Sequence, residues 1–314
     1  MSARQIVAVT GADGFIGRHL VRELLGRGIQ VRALSRRAAL SAQPGLEILI
    51  TPDIVAAPWA QLLSGAHAVV HLAARAHRAA PRNATQAQRL LAVNVEAVGS
   101  LARAAGACGV QRMVLVSSIG VLGSSSGRQP FDADSRPAPH DEYAASKLAA
   151  EQAAAEASAK SGLRLCVLRP PLVFGPDAPG NFPQLLTAIR RGLPLPLGAI
   201  ANQRSFLSVW NLCDLIRTCL THPQACEAPW LAADSGTLSS ADLVRLCAGY
   251  LGVRARLWPV PVGVLRLAAA MLGRGADFTR LCGNLVVDDR FTRQSLQWQP
   301  PLTLQEGLRR SCQP

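Results

Sequence analysis

Gln5-Ile-Val-Ala-Val-Thr10-Gly11-Ala-Asp-Gly14-Phe-Ile-Gly17-Arg18-His-Leu-Val-Arg-Glu-Leu-Leu-Gly-Arg-Gly28 runs from a β-branched apolar segment, through three spaced glycines, into a helical pattern. Glycines alone say little; strand, Gly-x-x-Gly-x-x-Gly, then helix is the context that gives the spacing a mechanism. Gly11 permits the tight turn, and Gly14 lets a pyrophosphate approach backbone N–H groups. Gly17 lets the helix pack on the strand while its N-terminus faces the phosphates. The opening of the chain therefore predicts a dinucleotide-binding unit.

A second strand, Gln30 to Ser35, ends in Arg36 and Arg37. NAD enzymes of this architecture place an acid here for the adenosine ribose, whereas arginine suits the 2′-phosphate of NADP. NADP is the expected cofactor and NAD the alternative, with two solvated surface arginines as the competing reading. Further strands are expected at Leu46–Ile50, Ala68–Leu72, Arg112–Ser118 and Leu163–Leu168, with a long helix from Ala84 to Gly106. That alternation describes an α/β fold, a Rossmann doubly wound parallel sheet. Past Gly175 it stops. Residues 1–175 read as the NAD(P)-binding domain with a return segment at about 205–221, and 176–314 as mainly a smaller C-terminal substrate-binding lobe.

The chain has two tyrosines and two lysines, and one of each lies in Asp141-Glu-Tyr143-Ala-Ala-Ser-Lys147-Leu-Ala-Ala-Glu-Gln152. Free of Gly and Pro until Gly162, this segment reads as a helix. Spacing of i, i+4 turns the phenol and the ammonium to one side. Alone, the pair is equally a surface tyrosine beside a surface lysine. It follows a strand ending in Ser117-Ser118, at a carboxyl end where open α/β sheets hold ligands. The proline-rich stretch Ser124–His140 between them reads as a loop bordering the site.

In this order the motifs resemble the extended short-chain dehydrogenase/reductase family, in its nucleotide-sugar epimerase, dehydratase and 4-ketoreductase branch. The resemblance covers nearly the whole chain and rests on the glycine spacing, Asp53-Ile54, Ser118, Tyr143/Lys147 and Arg204. It implies a catalytic Ser118, Tyr143 and Lys147. Lys147 and an oxidised nicotinamide would lower the phenol's pKa, and Tyr143 would move a proton to or from a sugar oxygen that Ser118 hydrogen-bonds. Lys147 would also hold the nicotinamide ribose. The resemblance further implies cofactor contacts at Phe15, Ile16, Asp53, Ile54, Leu72, Ala73, Ala74 and Pro170, and an Asn94 whose backbone supports a proton relay. Asn181 and Arg204 match positions that contact a nucleotide-sugar diphosphate. Arg280 is a candidate for the second phosphate, a surface arginine being as good a reading. Leu285–Asp288, Leu296–Pro300 and Leu304–Leu308 match the family's C-terminal pattern.

Dehydratases of this branch carry an Asp-Glu pair directly after the catalytic Ser/Thr. Here Ile119 and Gly120 stand there, with no proton to exchange. The expected function is NADP-dependent reduction, at C4, of a 4-keto-6-deoxy nucleotide sugar (UDP-linked) in surface polysaccharide synthesis. Arg36-Arg37 and the look of the stretch from Asn181 to Phe206 favour it. The alternative is a nucleotide-sugar 4-epimerase that recycles bound NAD. A non-catalytic dinucleotide sensor on this scaffold would be expected to lack Tyr143 and Lys147. In the family the two Ala-rich helices, Ala84–Gly106 and Tyr143–Ser161, form a four-helix interface, so a homodimer is expected.

Composition sets the remaining bounds. With 314 residues, 49% of them hydrophobic, the chain can bury a large core. The net charge is +13, but the arginines form no basic run and have little aromatic interleaving, so a small anionic substrate is expected rather than nucleic acid. The eight cysteines match no zinc spacing, and His19, His67, His71, His77, His140 and His222 form no ligand pair, so no metal is expected. A reduced cytoplasmic protein is the simple expectation, because a strand begins within a few residues and leaves no room for a signal peptide. The apolar run Val260–Leu272 is too short to span a bilayer and contains Arg266, so membrane insertion is not expected.

Overall fold

The computed structural model describes residues 5–37, 40–75, 83–273 and 275–313, and His77 lies outside them. The first half comprises β1 (Ile6–Thr10), α1 (Phe15–Gly26), β2 (Gln30–Ser35), β3 (Leu46–Ile50), α2 (Trp59–Leu63) and β4 (Ala66–His71). Next come α3 (Ala84–Leu91), a π-helical turn (Ala92–Glu96), α4 (Ala97–Ala107), β5 (Arg112–Val116), a short 3-10 turn (Ile119–Val121), α5 (Glu142–Ala159) and β6 (Arg164–Arg169). The strands β7 (Leu172–Phe174) and β8 (Phe206–Ser208), with α6 (Asn181–Arg190) between them, form a parallel pair of their own. After α7 (Val209–Thr221), β9 (Pro229–Leu231) returns to the main sheet. The chain ends with α8 (Ser240–Tyr250), α9 (Val262–Met271), α10 (Gly275–Cys282), α11 (Arg290–Ser295) and α12 (Leu304–Cys312).

Among the described residues the main sheet has seven parallel strands in the order β3-β2-β1-β4-β5-β6-β9. This is the expected Rossmann arrangement. Both faces are covered, which is why β5 (Arg-Met-Val-Leu-Val) is buried along its whole length. One face packs Leu20 and Leu24 of α1 with Leu212 and Ile216 of α7. The other packs Trp59 of α2, Leu101 and Ala105 of α4, and Ala150 and Ala154 of α5. The order reverses between β1 and β4, and a crevice opens there at the strands' carboxyl ends.

Two departures from the sequence expectations matter. The long helix over Ala84–Gly106 is interrupted by the π turn, whose one buried residue is Asn94. The dinucleotide half also draws on more of the chain than the expected return segment. Trp230 of β9, Leu296 and Trp298 share a core with β1 and α7. β9 has three residues and starts with proline, too little for a periodic signal. α4 and α5 pack closely on each other within the chain: a Cβ on Gly99 would sit 3.5 Å from that of Ala153, and one on Gly106 would strike Ser161.

Candidate active site

The glycine turn is tight in the way its chemistry requires. Gly11 has φ +66°, and a Cβ on it would lie 2.9 Å from the backbone nitrogen of Ala73. At Gly17 a Cβ would lie 2.2 Å from the Gly11 carbonyl oxygen and 2.7 Å from Ala12 Cα. Gly14, at the cap position of α1, gives it no side-chain cap, and its first turn holds no acid. Its free N–H groups and positive dipole end are therefore left for an anion.

A cavity of about 830 Å³ opens above the turn. Its lining includes Gly11, Gly14, Arg36, Asp53, Ile54, Leu72, Ala73 and Ala74 of the expected cofactor residues. Phe15 and Ile16 instead pack partly buried against the core. Arg37 is exposed, its carbonyl accepting a hydrogen bond from Ser35 Oγ at 2.7 Å. Asp53 closes its own turn, Oδ1 accepting from the Val55 amide at 2.9 Å. Thr51 and Trp59, which the sequence reading passed over, also line the cavity. Thr51 Oγ1 and Trp59 Nε1 are buried without a partner among the described residues. A buried polar atom without a partner is costly unless a ligand or water satisfies it. The side-chain-free turn, the uncapped helix and these polar atoms fit a dinucleotide.

Beneath the turn lies a node missed in the sequence. The amides of Leu72 and Ala73 donate to Thr10 Oγ1 at 3.2 and 3.3 Å, so the hydroxyl donates its own proton to His71 Nδ1, 2.9 Å away. Burial, and then the nearby Lys147 cation, push the His71 pKa down to about 3. A neutral His71 thus joins β1 to β4 under the cavity.

Ser118, Tyr143 and Lys147 come together because β5 and α5 converge. Asp141 caps α5, with Oδ1 accepting from the Ala144 amide at 2.8 Å. One turn further, buried Lys147 donates from Nζ to the Val116 carbonyl at the end of β5, 2.7 Å away. Ser118 Oγ accepts from the Gly120 amide at 3.1 Å, and the Ile119 amide donates to the Pro170 carbonyl at 2.9 Å. A Cβ on Gly120 would lie 3.6 Å from that of Ala144, so the serine turn abuts the tyrosine turn. Burial pushes the Tyr143 phenol up to about 12, and the Asp141 charge adds to the shift. Burial brings Lys147 down to about 8, while Glu151 holds it up. At neutral pH the phenol keeps its proton and the ammonium its charge.

Glu151 completes the set, one turn beyond Lys147. It is buried, accepts from Ser117 Oγ, and pairs with Arg169 Nη2 at 2.6 Å and Nε at 3.1 Å. One carboxylate therefore ties the ends of β5 and β6 to α5. The i, i+4, i+8 row Tyr143-Lys147-Glu151 was visible in the sequence; its burial was not.

The π turn explains Asn94. Its Oδ1 accepts from the Arg75 amide at 2.7 Å, while Nδ2 donates to the Arg75 carbonyl at 3.2 Å and to Ser146 Oγ at 3.0 Å. Ser146 Oγ in turn donates to the Tyr143 carbonyl at 2.8 Å. The side chain thus clamps the segment after β4 to the tyrosine helix. Asn94→Ala leaves the half-buried amide and carbonyl of Arg75 without their partner and is expected to destabilise the protein by about 2 kcal/mol. Urea denaturation checks this, and an unchanged midpoint would contradict the clamp.

The residues expected at the substrate are less closely gathered. Arg204 is partly buried and donates from Nη1 to the Gly283 carbonyl at 3.0 Å. Arg280, on α10, pairs through Nη2 with Asp141 Oδ2 at 2.6 Å, beside the start of the tyrosine helix. Asn181 is the first residue of α6 and lies exposed.

A model of the NAD dependent epimerase/dehydratase family matches residues 7–230. UDP-glucose 4-epimerase of Vibrio cholerae is 35% identical over 310 residues, covering 98% of this chain and 94% of the other. The structure of MoeE5 in complex with UDP-glucuronic acid and NAD superposes with a TM-score of 0.79 at 27% identity, covering 98% and 97% of the two chains. UDP-glucuronic acid 4-epimerase from Bacillus cereus, in complex with NAD, gives a TM-score of 0.81 at 20% identity over 98% and 97%, a likeness of fold.

Proposed function

This chain belongs to the NAD-dependent epimerase/dehydratase family, within the extended short-chain dehydrogenases/reductases, and on that basis we propose that it is an NAD-dependent 4-epimerase of a UDP-hexose. The observation that carries the reading is the end-to-end likeness to the Vibrio cholerae 4-epimerase. It moves the preference from the 4-keto-sugar reductase expected above to its alternative. The reductase rested on the look of the stretch from Asn181 to Phe206 and on Arg36 and Arg37, of which only Arg36 is among the residues lining the cavity.

When bound, the dinucleotide supplies a hydride acceptor at C4 and, oxidised, a positive charge near the phenol. The chain's own groups do the rest. Tyr143 takes the 4-hydroxyl proton and returns it to the same oxygen once the sugar presents its other face. For that it must lose its proton, so the Lys147 cation and the oxidised cofactor have to overcome the burial that holds the phenol near 12. Ser118 Oγ hydrogen-bonds the sugar oxygen and steadies it as a carbonyl. The sugar has to turn over, so the grip belongs on the diphosphate, where Arg204 and Arg280 are the apt donors. Ile119 and Gly120 provide no acid–base pair for removing water.

Denaturing the purified protein and identifying the released nucleotide tests the choice. NAD is expected, together with interconversion of UDP-glucose or UDP-N-acetylglucosamine with its C4 epimer and no net use of reductant. Released NADP, with stoichiometric oxidation of NADPH by a 4-keto-6-deoxy UDP-sugar, would give the protein to the reductase reading.

A further inference from the structure

The apolar run too short to span a bilayer turns out to be α9 and its flanks, and none of the α9 residues is buried. The helix is held where Leu265 packs against the lobe's core and by α10, which packs against it. Val264, Leu267 and Met271, an i, i+3, i+7 set on another face, are 55%, 64% and 80% exposed. Leu272 at the helix end is 72% exposed, and Trp258, just ahead of the helix, is 60% exposed. Scattered apolar residues on a surface need no explanation, but one helix face left bare of cover does.

Charge decides what covers it. From Leu243 to Ala276 the sequence contains no Asp or Glu, yet it contains Arg245, Arg254, Arg256, Arg266 and Arg274. Arg245 pairs with Asp242. Arg254, Arg256 and Arg266 are exposed and join no salt bridge among the described residues. A second copy seated on this face would bring like charges together, on a chain already at +13. An anionic bilayer surface is complementary in both respects. Tryptophan and aliphatic side chains enter the boundary between headgroups and acyl chains, while arginines reach the headgroup phosphates. With about three turns of helix, α9 can lie in that boundary but not cross it.

We propose that α9, with Trp258 and the arginines around it, is a docking face for an anionic phospholipid surface, on which the protein rests without inserting. The reading is independent of the substrate. Its test is co-sedimentation of the full chain with vesicles of phosphatidylcholine alone, or of phosphatidylcholine and phosphatidylglycerol in equal parts. Binding to the mixed vesicles is expected to be at least about tenfold tighter and to weaken as salt rises. The double variant Leu267→Glu, Met271→Glu is expected to lose about tenfold or more of that affinity, with melting temperature and cofactor content unchanged. Absence of binding to the mixed vesicles overturns the proposal. So does binding by the double variant as tight as that of the parent, which would assign the affinity to net charge alone. A parent chain that sediments as a larger assembly than the variant, without lipid, would assign the face to a second copy and also overturn it.

Discussion

Tyr143→Phe is expected to lower turnover by about 10³-fold while leaving the bound nucleotide in place. The substitution removes one oxygen from a ring that is already half-buried, so packing around α5 is preserved. Neither of the buried basic groups at the site is free to take over the proton. His71 is neutral and sealed beneath the turn, with its pKa near 3, and Lys147 is tied to the Val116 carbonyl. The comparison to make is single-turnover rate against nucleotide released per chain. A variant that turns over within about tenfold of the parent would remove Tyr143 from the chemistry.

Glu151→Ala is expected to have the largest effect on stability, about 3–5 kcal/mol, because it leaves the Arg169 guanidinium nearly buried without its partner. Ser117 loses its acceptor at the same stroke. The substitution also acts on Lys147, whose pKa Glu151 raises against the lowering by burial. Without that carboxylate the ammonium loses its proton at a pH below about 8, so the alkaline limb of turnover is expected to move toward neutrality. Glu151→Gln keeps the hydrogen-bonding shape and removes the charge, which separates the two effects: the limb should shift with less loss of stability. A Gln variant with an unshifted limb would remove Glu151 from the electrostatics of the site.

Much of the nucleotide half was legible from residues close together in sequence. Gly11, Gly14 and Gly17 are each required by contacts within one turn, or with the neighbouring strand end, so their spacing carries the meaning. Tyr143 and Lys147 were legible for the same reason, as a helical i, i+4 pair. Glu151 was not, since an acid in an Ala-rich helix reads as solvated until Ser117 and Arg169 close around it. The π turn at Asn94 hid inside a good helical pattern, because propensity does not register one extra residue in a turn. The C-terminal lobe resists a local reading. β7 and β8 have three residues each and pair across 34 positions, from Leu172 to Phe206. Arg280 meets Asp141 from 139 residues away.

The central claim is that hydride leaves C4 and comes back within one bound complex, with Tyr143 handling only the proton. A UDP-hexose carrying deuterium at C4 tests it directly in ordinary water. The account predicts that the C4 epimer forms with its deuterium retained and without added NADPH. Deuterium lost to solvent, or product that forms only as NADPH is consumed, would contradict it.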